Sequence, residues 1–408
     1  MEVRPGYKQT EVGLIPEEWE VTRIADVSDV KTGPYGSALH MRDYVDDGTP
    51  IITVEHLGEL GVMHVNLPLV SDADRKRLRA YLLDSGDIVF SRVGSVDRNA
   101  LIRKSEAGWL FSGRLLRVRA YKSKAFAPYL SYQFHSEPFK RRVHDVAVGQ
   151  TMASINTQIL NSITTILPIL HEQRAIAAAL GDVDALLRAL TRLIVKKRDL
   201  KQGAMQQLLA GQTRLPGFSG EWDIRRFGNI AMPRKDRIDP RKSAVQEFCV
   251  ELENIEATTG RLIGSTKTSE DSSLKSVFRE GDVLFGKLRA YLRKYWLADR
   301  PGVCSTEIWV LVPNAILVTD AYLFQLIKSD QFIEAASSTY GTHMPRSDWN
   351  VIKNYELPLP SLREQAAIAA MLSDMDAEIA AHEARQAKTR ALKQGMMQEL
   401  LTGKTRLI

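Results

Sequence analysis

Two short segments of the sequence carry residue types that capture anions. Ser91-Arg92-Val93-Gly94-Ser95 follows the apolar run Ile88-Val89-Phe90, and Gly286-Lys287-Leu288-Arg289 follows Val283-Leu284-Phe285. A Gly-Asp pair opens each run, Gly86-Asp87 and Gly281-Asp282. A cation among small residues at a strand end combines fixed charge with accessible backbone N–H groups, which is what grips a phosphate. Tyr291 and Arg293 follow the second segment and extend it. A second pair of segments is led by glycine: Gly149-Gln150-Thr151-Met152-Ala153-Ser154 and Gly341-Thr342-His343-Met344-Pro345-Arg346. Glutamine pairs bidentately with adenine and arginine with guanine, so Gln150 and Arg346 are candidates for base edges, with Thr151, Ser154, Thr342 and His343 beside them. The competing readings are a solvated turn for the first pair and a structural anchor loop for the second.

Other basic runs are less specific. Arg75-Lys76-Arg77, Lys140-Arg141-Arg142 and Lys196-Lys197-Arg198 read as solvated helix faces, and Arg234-Lys235-Asp236-Arg237 as a loop. Gly403-Lys404-Thr405 ends like a nucleotide-binding loop, but that pattern needs glycine at position 398, where Gln398 stands. No Asp/Asn-Pro-Pro-Tyr/Phe motif, glycine-rich cofactor loop or metal-ligand spacing appears, so no catalytic residue, cofactor-binding residue or metal ligand is assigned. Cys249 and Cys304 are too far apart for a zinc-ligand pair and read as unreactive thiols in a reducing compartment.

Bulk properties fit a polyanion partner without requiring one. The formal net charge is +6 over 408 residues, and the sequence pI is about 9.1. Length suits two to four domains. The first ten residues lack a signal-peptide core, and no apolar run approaches the ~20 residues of a membrane span. A cytoplasmic chain is expected.

The elements that position these residues come from an internal repeat. LHEQRAIAAALGDVDALLRAL from Leu170, continuing to KKRDLKQGAMQQLLAGQTRL, aligns without gaps to LREQAAIAAMLSDMDAEIAAH from Leu362 and KTRALKQGMMQELLTGKTRL. The offset is 192 positions (362 minus 170), and about 26 of 46 aligned residues are identical. Weaker echoes precede the repeat: Pro168 with Pro360, Gly149 with Gly341, Glu18-Trp19-Glu20 with Glu221-Trp222-Asp223. The chain is therefore two variable domains, each followed by a shared helix.

Ile176, Leu180, Val183, Leu187, Leu190 and Ile194 alternate by four and three, which is a coiled-coil seam. Ile368, Leu372, Met375 and Ile379 repeat it before His382 and Gln386 interrupt. Pro168 and Pro360 mark the starts, Ser361 with Glu364 forms a capping-box pattern, and Gly211 and Gly403 mark the stops. Each helix spans about 40 residues, roughly 60 Å. Gly203 and Gly395, internal to both, suggest a close crossing, a kink or a break. The domains preceding the helices read as α+β. Strands are expected at residues 247–252, 283–288 and 305–312, with partial strand alternation over 110–120 and helices over 128–143 and 320–337.

The ordered set GLIPEEWEV (13–21), GDIVFSRVGS (86–95), CSTEIWVL (304–311), PLPSLREQAAIAAML (358–372) and LLTGKTRL (400–407) resembles the specificity subunits of Type I restriction-modification enzymes, over essentially the whole chain. The resemblance implies two target-recognition domains, residues 1–169 and 216–361, joined by two long helices, 170–215 and 362–408, in an antiparallel coiled-coil-like pair. It implies a non-catalytic chain that reads a split, asymmetric site in double-stranded DNA. Two methyltransferase subunits would dock on it, with translocase-nuclease subunits joining for restriction, and S-adenosylmethionine, ATP and Mg would belong to those partners. In that family the glycine-led loop lies near DNA. The alternative is a stand-alone DNA methyltransferase or nuclease with built-in recognition domains, disfavoured because no catalytic motif is present.

Overall fold

The structure, a computed structural model, describes residues 5–34, 39–40, 43–149, 151–243, 245–268, 273–338 and 345–407. Packing divides the chain into two units: Met1–Arg192 with Ala384–Ile408, and Leu193–Glu383. The division falls inside both long helices, Leu170–Leu209 and Leu362–Leu400, which are continuous over 40 and 39 residues.

The first unit is built on a four-stranded antiparallel sheet in the order Asn99–Leu101, Ile88–Ser91, Leu115–Ala120, Ser28–Thr32. The Gly-Asp turn sets up its central strand. Gly86 sits at φ +98°, which glycine adopts without steric cost. The buried Asp87 carboxylate accepts two 2.6 Å bonds from Arg119 on the neighbouring strand and one of 2.8 Å from the Asp84 N–H. A smaller sheet holds Leu110–Phe111, parallel to Thr49–Ile52, followed by Leu69–Val70 and Tyr44–Val45. A two-stranded ribbon, Glu20–Arg23 with Thr164–Leu167, returns the chain to the start of the domain just before the long helix.

The second unit repeats this plan. Its main sheet runs Tyr295–Leu297, Val283–Gly286, Ile308–Pro313, Ala231–Pro233, and its ribbon pairs Asp223–Arg226 with Glu356–Leu359. Asp282 takes the place of Asp87, but its guanidinium partner is Arg234, at 2.9 and 2.8 Å. The smaller sheet is ordered differently. Here Gly302–Ser305 is central, between Cys249–Val250 and Lys275–Phe278, whereas Thr49–Ile52 is central in the first unit.

Each core is closed by both helices. In the first unit, Trp19, Phe90, Tyr129, Phe134 and Phe139 pack with Ile176 and Leu180 from the start of one helix and Leu400 and Leu401 from the end of the other. In the second, Phe227, Phe285, Tyr322 and Phe332 pack with Ile368 and Leu372 and with Met205, Leu208 and Leu209. The helices run antiparallel within each unit. Asp184 lies 2.7 Å from Lys393 and Gln386 donates to Thr191 at 2.7 Å in the first. Lys197 lies 2.7 Å from Glu378, and Lys201 pairs with Asp376, in the second.

Several sequence expectations change in detail. The helix expected over 128–143 is two, Ala127–His135 and Glu137–Val146, and that over 320–337 is Asp320–Lys328 and Asp330–Ser337. The breaks fall at Ser136 and Ser329, whose hydroxyls accept from the N–H groups of Phe139 and Phe332 and so cap a new helix in each case. The strand expected over 247–252 shrinks to Cys249–Val250 before a 3-10 turn at Leu252–Asn254. The stretch 305–312 divides between Gly302–Ser305 and Ile308–Pro313. The helices pass unbroken through Gly203 and Gly395, and among the described residues no atom beyond the helix's own adjoining backbone lies within 4 Å of where a Cβ would stand, so neither glycine serves a close crossing there. Ser361 caps the Glu364 N–H at 3.4 Å, but the Glu364 side chain accepts from Arg214 and Trp222 instead of completing the capping box.

Candidate nucleic-acid interface

Within each unit, the strand-end cluster and the glycine-led loop meet in one backbone frame. In the first unit the Arg92 N–H donates to the Arg114 carbonyl (2.9 Å), Gly94 N–H to Ala153 (2.8 Å) and Ile155 N–H to Arg92 (2.9 Å), with Val93 bridged to Ser154. In the second, Lys287 N–H donates to Glu307 (3.0 Å), Arg289 N–H to Pro345 (2.8 Å) and Ser347 N–H to Lys287 (2.8 Å), with Leu288 bridged to Arg346. The two frames match bond for bond. Position 92 corresponds to 287, 94 to 289, 114 to 307, and 154 to 346.

The side chains on this frame differ. The first presents Arg92, Gly94, Arg114 and Ser154; the second presents Lys287, Arg289, Glu307 and Arg346. Gly94 and Ser95 are exposed, as is Thr151, while Arg92 is half-buried with one weak bond to the Gly113 carbonyl at 3.4 Å. Ser154 bonds the Val148 carbonyl at 3.2 Å. Ser91 is 0% exposed with its hydroxyl 3.3 Å from the Val93 carbonyl, so burial removes its side chain from the contact set. Gln150, Thr342 and His343 lie outside the described residues.

In the second unit Lys287 is half-buried, and Arg289 and Tyr291 are exposed. Arg293 turns away from the frame: it pairs with Asp330 and donates to the Lys328 carbonyl at 3.4 Å. The pairing lowers the Asp330 carboxyl below its usual value, chiefly through the Arg293 hydrogen bond. Arg346 is exposed but engaged, its Nε and Nη2 lying 2.9 and 3.3 Å from the Glu307 carboxylate, which raises its pKa.

The basic runs separate into roles. Lys197 and Arg198 pair with Glu378 and Glu383 on the facing helix, and Arg234 is held by Asp282, so these cations serve the fold. Lys140 pairs with Glu137 at 3.2 Å. Arg77 pairs with Asp74 in the last turn of a short helix. Arg114 and Glu307 were not foreseen. Each precedes the strand that pairs with the cluster strand, where Ser91 faces Leu115 and Gly286 faces Ile308, so only the sheet register brings them to the site.

Both thiols are buried, and burial raises their pKa, Cys249 to about 11. Among the described residues no group of three or more His, Cys, Asp or Glu could hold a metal ion, and no helix is long and apolar enough to cross a membrane.

The family model for the Type I restriction modification DNA specificity domain matches twice, at residues 16–196 and 220–389. The chain belongs to this family. It is a Type I specificity subunit with two recognition domains and, as such, a non-catalytic component of a restriction-modification complex. Members of the family act with DNA and with other restriction-modification subunits. Over 427 aligned residues it is 26% identical to the provisional MjaX type I specificity subunit of Methanocaldococcus jannaschii, covering 98% of this chain and 97% of that one. It is 24% identical to the MjaVIII specificity subunit of the same organism over about half of each chain, 52% and 50%. In fold it is similar to the S subunit from M. genitalium (TM-score 0.58, 13% identity, 98% of both chains). A chain from a structural study of type I system assembly and conformational transition is also similar (TM-score 0.56, 18% identity, 96% of this chain and 99% of that chain).

Proposed function

We propose that this specificity subunit reads a bipartite, asymmetric site in double-stranded DNA, one half per recognition domain. The observation that carries the reading is the frame itself. Identical backbone bonding displays Arg92, Gly94, Arg114 and Ser154 in one domain and Lys287, Arg289, Glu307 and Arg346 in the other. A conserved scaffold with different donors and acceptors at the same corners is what two unlike half-sites require, because base identity is read by hydrogen-bonding pattern. The cations also supply phosphate contacts that fix register without specifying sequence.

The paired helices act as the spacer between half-sites and as the dock for two methyltransferase subunits, with restriction subunits joining the modification complex. S-adenosylmethionine, ATP and Mg are carried by those partners. A spacer on the scale of one DNA turn, roughly 34 Å, keeps two readers on one face of the duplex.

The test is a domain exchange. Residues 216–361 are replaced by the corresponding domain of another specificity subunit, and the sites methylated by the assembled complex are mapped genome-wide. One half of the methylated motif should change and the other should persist. A change in both halves would overturn the modular reading, and methyl transfer by the chain alone with S-adenosylmethionine would favour a stand-alone enzyme.

A further inference from the structure

The second domain carries two arginines on the frame, and they are not equivalent. Arg346 presents its Nε–Nη2 edge to Glu307 in a two-pronged ion pair. Arg289 is exposed, and its side chain has no hydrogen-bond or ion-pair partner among the described residues. Its backbone is nonetheless fixed: its N–H donates to Pro345 and its carbonyl accepts from Leu292, both at 2.8 Å.

That backbone is left-handed, at φ +53° and ψ +58°. A non-glycine residue there is strained by its Cβ. The first domain has Gly94 at the matching position, also left-handed at φ +81° and also bonded through its N–H to the glycine-led loop, with no side chain, although the chain then turns differently: the Gly94 carbonyl accepts from Val96, where that of Arg289 accepts from Leu292. Folding therefore does not call for arginine at 289. A strained residue where glycine would serve, at a functional surface, marks a side chain retained for what it touches.

We infer that Arg289 is the base-reading arginine of the second domain, taking the O6/N7 edge of a guanine, and that Arg346 is committed to Glu307. The inference rests on the DNA-reading function proposed above. Arginine offers two parallel N–H donors to that edge, the most frequent specific contact in the major groove. Among the described residues the fork left without a partner is at 289, on a loop anchored to both halves of the frame.

The experiment selects binding sites from a randomised duplex DNA library with the full-length chain assembled with its methyltransferase subunits, comparing wild type, Arg289→Gly and Arg289→Asn. Glycine matches position 94, and asparagine is the polar residue that tolerates left-handed backbone. Both variants should keep the wild-type unfolding midpoint or exceed it. Each should lose preference for guanine at one position in one half of the motif, with affinity for the wild-type site down about tenfold or more, and the other half intact.

An unchanged motif and affinity would overturn the inference. A uniformly weakened affinity with an unchanged motif would also overturn it, because it would make Arg289 a phosphate contact. If wild type selects a two-part motif and the variants do likewise, only the inference falls. If the wild-type assembly selects no motif, the DNA-reading function falls and takes the inference with it.

Discussion

Arg406 and Glu172 form a bidentate ion pair, with guanidinium Nε and Nη2 at 2.6 and 2.9 Å from the two oxygens of a carboxylate that is 0% exposed. The Trp19 indole N–H donates to the same carboxylate at 2.9 Å. The second unit repeats the arrangement with Arg214, Glu364 and Trp222 at 2.6, 2.6 and 3.1 Å. The segment leaving one repeated helix is thus pinned to the first turn of the other, and the tryptophan comes from the strand-leading motif Glu-Trp of the domain. This explains why Glu-Gln at the helix start and Thr-Arg-Leu at the helix end recur together.

Arg406→Met should therefore cost about 3 kcal/mol, because it leaves the Glu172 charge buried without its cation. Adding Glu172→Gln should recover at least half of that loss, since the amide keeps an acceptor for Trp19 and carries no charge. Thermal unfolding of the single and double variants measures it. Equal loss in both would show that the buried charge is not the source.

Gly203→Ala and Gly395→Ala should each stabilise the chain by about 0.5–1 kcal/mol, the usual gain of alanine over glycine inside a helix. Among the described residues, nothing within 4 Å obstructs the added methyl groups at either position. Calorimetric unfolding of the isolated chain is the measurement. A lowered midpoint would mean that the helix backbone is bent or crowded there.

Those glycines show where sequence reasoning stops. The repeat, the seam Ile176–Leu180–Val183–Leu187–Leu190–Ile194, buried except for the half-buried Val183, and the stops at Gly211 and Gly403 were legible because helical periodicity is local. The break at Ser329 was not, because apolar spacing continues through it while the extended serine backbone ends the helix; that at Ser136 carries a sequence signal that was passed over, Pro138 in the first turn of the new helix. The individual clusters of the candidate interface were recognisable from residue type. Their union was not: Gly94 with Ala153, and Arg289 with Pro345, are joined by backbone bonds between distant segments. Arg114 and Glu307 enter only through strand register, and the burial of Ser91 follows from its place at the end of a central strand.

Lys328 should make the second unit more stable as pH rises above about 8. It is 4% exposed, and it shares the Asp376 carboxylate with Lys201, at 2.6 Å for its own Nζ. Burial, then the Lys201 charge, lowers its pKa to about 8 from an ordinary 10.5. A folded-state pKa below the unfolded one means that the unfolded chain binds the extra proton between those values. The penalty of the buried charge is therefore full below pH 8 and fades as pH climbs toward 10.5. Relative to Lys328→Met, wild type should gain on the order of 1–3 kcal/mol across that window. Urea midpoints of the two proteins between pH 7 and 10 test this, and parallel profiles would refute it.

Affinity for DNA should fall steeply with salt, and Arg92→Ala and Lys287→Ala should flatten that dependence. Each phosphate contact releases counterions, so log affinity falls linearly with log salt, by about 0.9 per contact. Arg92 and Lys287 occupy matching corners of the two frames, half-buried, with their backbones held by the neighbouring strand. A cation fixed beside a strand end contacts the phosphate backbone wherever the frame lies on DNA, so its removal should weaken binding uniformly across sequences. Each substitution should reduce the slope by about 1, and the pair by about 2. The measurement is fluorescence anisotropy of a long duplex with the assembled complex from low to moderate salt. A slope unchanged by both substitutions would place these side chains off the phosphate backbone, while a change in motif would make them base readers.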